Sequence, residues 1–278
     1  MTRRASRTLI RRCLLSLLAT AITVVFLFPI YWIACLSLQD AVTSSSFPLQ
    51  FVFTPTLENY RDLFIEGNFA PILANTAIIA LGTTLVALAL GIPAAYALAR
   101  FKVGSGEHIS FAVLSVRIIP SYVAVVPLFV LLNKLGLYDT RSGVILATSV
   151  VAISFAIWMM RAFIIAIPVE LEDAARIDGC SRLGALVRIV LPLAAPGLVA
   201  TGLFTAILGW NDFVFVLILG GETAKTMPVA LSGLVTEERV EWGQLAAGGV
   251  LTMLPVIVFA LLIRRYFLTG IVSGGVNE

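Results

Sequence analysis

Charge is scarce in this sequence. Only 13% of its 278 residues are Asp, Glu, Lys or Arg, against 59% hydrophobic, a balance far from that of soluble domains. Groups suited to catalysis are scarcer still. The single histidine, His108, has no H-E-x-x-H around it. There is no G-x-S-x-G, and none of Lys102, Lys134 and Lys225 follows a glycine as the phosphate-cradling G-x-x-x-x-G-K-[ST] requires. Zinc-hydrolase, serine-hydrolase and nucleotide-hydrolase readings lose their residues, an intramembrane enzyme is left without a nucleophile or acid–base pair, and His108 reads as a solvated residue at a membrane boundary. Cys13, Cys35 and Cys180 are odd in number and too scattered for a disulfide framework or a metal site. Linkers, low-complexity tracts and internal repeats are also missing, so one membrane domain is expected.

What the sequence has is long apolar runs. Six blocks can be drawn, Cys13 to Gln39, Gly67 to Ala99, Ile109 to Asn133, Ser142 to Met160, Ile189 to Gly221 and Trp242 to Ile263. Each exceeds or approaches the roughly 20 residues that ~30 Å of hydrocarbon requires. The expected fold is an all-α polytopic membrane protein with six transmembrane helices over residues 13–267, and an even number puts both termini on one side. The cations choose that side. With the N-terminal segment 1–12 inside, Arg3, Arg4, Arg7, Arg11, Arg12, Arg100, Lys102, Arg161, Arg176, Arg182, Arg188, Arg264 and Arg265 are cytoplasmic, and only Arg61, Lys134, Arg141, Lys225 and Arg239 are outside. This bias accounts for the net charge of +3, which carries no implication of nucleic acid. The basic start and apolar run mimic a secretory signal, but the run is too long and no small-x-small site follows. The first block reads as a retained anchor.

One charged island interrupts this pattern on the cytoplasmic side, within residues 168–192. Pro168 suits a first helical turn, and Glu170, Glu172 and Asp173 set negative charge at the positive end of the helix dipole. Asp178-Gly179 stops the helix, since glycine accepts the left-handed conformation of a C-terminal cap. Ser181 can cap a second helix, with Arg182 and Arg188 on its flanks, that runs until Pro192. Leu171, Ala174, Ala175 and Asp178 share a face at helical spacing, and its small side chains would let a partner approach closely. Two uses fit this hairpin, docking to a soluble partner or lying on the bilayer surface.

The spacing Asp173-Ala174-Ala175, then Gly179, then Ile189, Leu191 and Pro192 resembles the EAA loop of permease subunits of ATP-binding cassette (ABC) importers. With Asp178 before the glycine and Leu-Pro-Leu after, it is similar to the carbohydrate-uptake branch. The motif's leading glutamate is Asp173 here, with Glu172 directly before it. The resemblance implies a type I importer architecture in a bacterial or archaeal cytoplasmic membrane. It implies a second, non-identical permease, two ATPase subunits that hold ATP and Mg, and an extracytoplasmic solute-binding protein; this chain would bind no cofactor itself. It also implies that Glu172, Asp173, Ala174, Ala175, Asp178 and Gly179 couple to the ATPase, and that the tail 268–278 points towards it; a disordered cytoplasmic end is the alternative.

Two ionisable residues fall inside the blocks, Arg117 and Asp212, and charge within a membrane is a functional hypothesis by default. Asp212 lies in Trp210-Asn211-Asp212-Phe213, which resembles a segment of the same branch. Its rings suit the C–H face of a sugar and its polar groups the hydroxyls, so these residues are candidates for the solute path, and a polar tie between helices is the alternative. An ion-coupled secondary transporter would instead use Arg117 and Asp212 as its relay. Outside, Leu57, Tyr60 and Phe64 give a short amphipathic helix at the interface. Thr226, Met227, Pro228 and Val229 are apolar in an otherwise wet loop, and either meet the solute-binding protein or fold back on the bundle.

Overall fold

The computed structural model describes residues 2–46, 50–101, 106–115, 121–236 and 240–274. In order the helices are α1 (Thr2–Ser37), α2 (Ala41–Ser44), α3 (Glu58–Ile65), α4 (Phe69–Arg100), α5 (Gly106–Ser115), α6 (Ser121–Lys134), α7 (Arg141–Ile165), α8 (Val169–Ile177), α9 (Arg182–Ala185), α10 (Leu191–Leu193), α11 (Ala195–Trp210), α12 (Val214–Leu219), α13 (Met227–Ser232) and α14 (Trp242–Gly274). Among the described residues no strand forms. Four helices are long and apolar enough to cross a membrane, and a fifth span arises if the bent pair Arg182–Leu193 and Ala195–Trp210 is counted as one.

The chain divides into two units. In the larger, α4, α7 and α11 form the centre. The Arg141 side chain at the start of α7 reaches Asn75 near the start of α4, and Arg100 at the end of α4 reaches Ile164 at the end of α7, so these two helices run parallel. The return helix α11 packs so closely that a Cβ at Gly209 would lie 2.9 Å from the Ala80 Cα. Small side chains permit this contact where apolar burial gives helices no drive to associate in lipid. α7 is the most enclosed, with Val144, Ala147, Ala152, Ala156, Met160 and Ile164 shut off from the surroundings. One core cluster gathers Ile79, Val125, Val144, Phe215 and Leu219. Another, at the opposite end, gathers Tyr96, Met160, Ile164, Leu186 and Val190.

The third apolar block is described as α5 and α6, and residues 116–120 between them, Arg117 included, lie outside the described residues. The fifth bends by 83° between Leu193 and Ala195 and ends at Trp210, short of Gly221. Pro192 and Pro196 flank this bend, each lacking an N–H for the ladder. The expected stop at Pro192 falls at Ala194 instead, because a π turn over Leu186–Val190 widens the helix ahead of the proline and carries it one more turn.

The smaller unit joins α1, α2, α3 and the start of α14. Here the Asn59 amide donates to Ser37 O at 3.0 Å and Gln39 O at 2.6 Å, and the Tyr60 hydroxyl to Ser37 Oγ at 2.9 Å. The two Asn59 bonds satisfy carbonyls freed where α1 ends. They also turn α3 so that Asn59 and Leu63 are buried while Leu57 and Phe64 are exposed.

Candidate functional site

The hairpin around α8 and α9 forms as its residues dictate. Gly179 has φ +90°. Cys180 N–H donates to Ala175 O at 3.0 Å and Gly179 N–H to Arg176 O at 3.1 Å, the paired bonds of a glycine-terminated helix. Ser181 caps α9 by accepting from Gly184 N–H at 3.1 Å. Pro168 stands one position before the expected first turn, as the residue that precedes α8.

The two adjacent carboxylates go opposite ways. Glu172 is buried. Its Oε1 accepts from Arg100 Nε at 2.5 Å and its Oε2 from the Tyr96 hydroxyl at 2.8 Å, so both carboxylate oxygens are engaged within the chain. Arg100 Nη2 also donates to Ile164 O at 2.9 Å and Ile167 O at 2.8 Å. One guanidinium thus joins α4, the end of α7 and α8. Asp173 is exposed and, among the described residues, pairs with exposed Arg176 at 3.4 Å, a contact too loose and wet to hold it. Ala175 is buried beside Glu172, and the open face of α8 is Leu171, Asp173, Ala174, Ile177 and Asp178. A cavity of about 160 Å³ lies between this helix and the end of α4, with Arg176, Arg182, Phe101 and Val169 in its wall. The Arg182 guanidinium stacks over Phe101 at 4.7 Å.

The second constellation is a break in helix geometry. Asp212 Oδ2 accepts from the Thr148 hydroxyl at 2.6 Å, and Oδ1 from Phe215 N–H at 3.2 Å at the start of α12. Trp210 is buried, while Asn211 and Phe213 are exposed. Asp212 therefore ties α7 to the break and positions its neighbours.

At the same end, the loop before α13 is fastened inward. Asn75 Nδ2 donates to Thr223 O and Lys225 O, and Thr76 Oγ1 accepts from Met227 N–H at 2.9 Å. Asp139 accepts from Thr223 N–H at 2.7 Å and its hydroxyl at 2.9 Å. Burial acts to raise the Asp139 carboxyl, but the donors from Thr223, Ala224 and Glu222 outweigh it and hold the group below its ordinary value. Thr226, Met227 and Val229 are buried and Pro228 is half-buried.

Arg100, Tyr96, Asp139 and Asn75 were missed by sequence reasoning, where Arg100 served only as a topology cation. The signal available was the Tyr96 to Arg100 spacing of one helical turn at the polar end of an apolar run.

This arrangement defines a polytopic helical membrane subunit of the importer-permease type. The fold superposes on a chain of a bacterial ABC transporter for import of the acidic polysaccharide alginate with TM-score 0.78 and 24% identity, over 96% of this chain and 99% of that one. It superposes on a chain of the MetNI methionine transporter with TM-score 0.55 over 75% and 98%. The chain belongs to the family of binding-protein-dependent transport system inner membrane components, whose pattern matches residues 87–272, and is an ABC importer permease, a non-catalytic membrane subunit. It is similar to the trehalose transport system permease SugB of Mycobacterium tuberculosis, 37% identical over 90% of this chain and 92% of that protein. It is likewise similar to the trehalose/maltose transport system permease MalG of Thermococcus litoralis, 30% identical over 96% and 98%.

Proposed function

We propose that this chain forms half of the path for a sugar or sugar-like solute in an ATP-driven importer of a bacterial or archaeal cytoplasmic membrane. A non-identical permease forms the other half, two ATPase subunits bind ATP and Mg, and a solute-binding protein delivers from outside. The observation that carries this reading is the open face of α8, where Asp173, Ala174 and Asp178 stand exposed on a helix closed at its C-terminus by the Gly179 turn and tied to Arg100 through Glu172. That face is the docking surface for the ATPase. The relatives named for trehalose and maltose support the solute class.

Asn211 and Phe213 are the solute-facing residues of the break, with Asp212 as the tie that presents them and Trp210 as packing behind. The exposed Glu222 and Thr223 at the tip of the fastened loop meet the binding protein, in place of the buried Thr226, Met227 and Val229. Affinity purification of this chain from membranes recovers an ATPase under this reading, and Asp173→Arg with Ala174→Arg removes it. An ATPase recovered equally with that double variant would refute the docking face.

A further inference from the structure

We propose that the two neighbouring carboxylates of the hairpin have separate roles in coupling. Asp173 is offered to the ATPase, and Glu172 fastens the hairpin to a buried three-helix joint at Arg100 that carries its movement into α4 and α7. This rests on the ATPase-docking reading above and adds the internal residues through which docking has an effect.

The joint is built for transmission. Of the nine residues of α8 only Glu172 and Ala175 are buried, so apolar packing alone fastens this helix weakly and the carboxylate is its main anchor. Both Glu172 oxygens are engaged, one by Arg100 and one by Tyr96. The side chains of Glu172 and Arg100 are 5% and 9% exposed. A pair this enclosed resists separation, because parting it leaves two charges without water or partner. The second arm of Arg100 meanwhile holds the carbonyls of Ile164 and Ile167, where α7 ends. A force on α8 therefore reaches two spanning helices through one rigid, planar group, and the lower-cost response is for all three to move together. The exposed Asp173–Arg176 contact cannot act this way, since water replaces it freely. Tyr96 is a positioning residue: its hydroxyl fixes the orientation of the carboxylate that Arg100 grips.

The complete transporter, with sister permease, ATPase and binding protein, is reconstituted in proteoliposomes, and two quantities are read. They are ATPase recovered per permease and solute accumulated per ATP hydrolysed. Glu172→Gln keeps the shape and removes the charge. We expect its uptake per ATP to fall by about tenfold, the scale of one charge-assisted bond, with ATPase recovery unchanged. Tyr96→Phe should fall in the same direction by about threefold or more, since its hydroxyl donates to an ionised carboxylate that Arg100 still holds. Arg100→Lys, which keeps a charge opposite Glu172 but gives up the fork onto α7, should also lose uptake per ATP. Asp173→Asn should do the reverse, losing ATPase recovery while the complexes that do assemble keep their uptake per ATP. Wild-type uptake per ATP in both Glu172→Gln and Tyr96→Phe would overturn the joint, as would loss of ATPase recovery in either. If Glu172→Gln fails to accumulate in the membrane, Tyr96→Phe, which preserves packing, decides alone. A wild-type chain that recovers no ATPase would overturn the docking reading first and the joint with it.

Discussion

Glu172 and Asp173 differ by one methylene and one position, yet one is 4% exposed and the other has its side chain 58% exposed. A helix turns about 100° per residue, so neighbours separate onto different faces, and chemical likeness says little about which one meets a partner. Asp173→Ala is expected to weaken ATPase recovery more than Glu172→Ala. Glu172→Ala should instead lower thermal stability by about 3–5 kcal/mol, because Arg100 is left buried and uncompensated; a melting curve of the purified protein reads the difference. Gly179 gives a second residue-scale test. Nothing lies within 4 Å of a Cβ placed there, so the cost of a side chain is backbone strain alone, ~1–2 kcal/mol for the left-handed conformation. Gly179→Val should abolish uptake at normal membrane levels, Gly179→Asn should retain most of it, and equal uptake in both would remove the turn from the account. Gly179, Ser181 and the hairpin itself were legible because caps are local chemistry. The partner of Glu172 was not, since Arg100 is 72 positions away and only packing brings it near.

Among the elements, the long helices could be read from apolar length, and the breaks could not. Prolines in apolar runs mark where a ladder is weakened without saying whether the chain bends, so the 83° bend near Ala194 was hidden in a uniformly apolar stretch. The inward fastening of the loop before α13 was equally unreadable, because Asp139 and Asn75 are unremarkable residues until the fold brings them to Thr223. Asp139→Ala should free this loop and cost about 1 kcal/mol, seen as faster backbone hydrogen exchange at Thr223 and Ala224. The pH dependence has a definite sign. The Asp139 carboxyl is lowered in the folded protein, so its contribution is present above the unfolded value of ~3.9. It is lost only as pH falls through the lowered folded value, and exchange protection should stay flat through the neutral range. The break at Asp212 yields a sharper test. Asp212→Asn can still cap α12 and meet Thr148, so uptake should survive it and fail in Asp212→Leu. A secondary transporter that used this carboxyl as a proton relay would be stopped by Asp212→Asn.

At the scale of the whole molecule, the two ends of the larger unit's bundle carry different work. The Arg100 joint closes the end that holds the hairpin, and the Asp139 and Asn75 bonds close the end that holds the loop before α13. Between them α4 and α7 run parallel, so displacement of one end has a direct path to the other. Membership of the family was legible in a few motif residues of the hairpin, whose spacing and glycine turn are local features of the sequence. On the proposed reading, ATP drives this chain through its hairpin. The most direct test is solute uptake into proteoliposomes holding this chain, its sister permease and the ATPase, with binding protein outside. The account predicts uptake that requires ATP on the hairpin side and disappears with Asp173→Arg and Ala174→Arg. Uptake driven by a proton or sodium gradient in vesicles lacking the ATPase, and indifferent to those two substitutions, would contradict it.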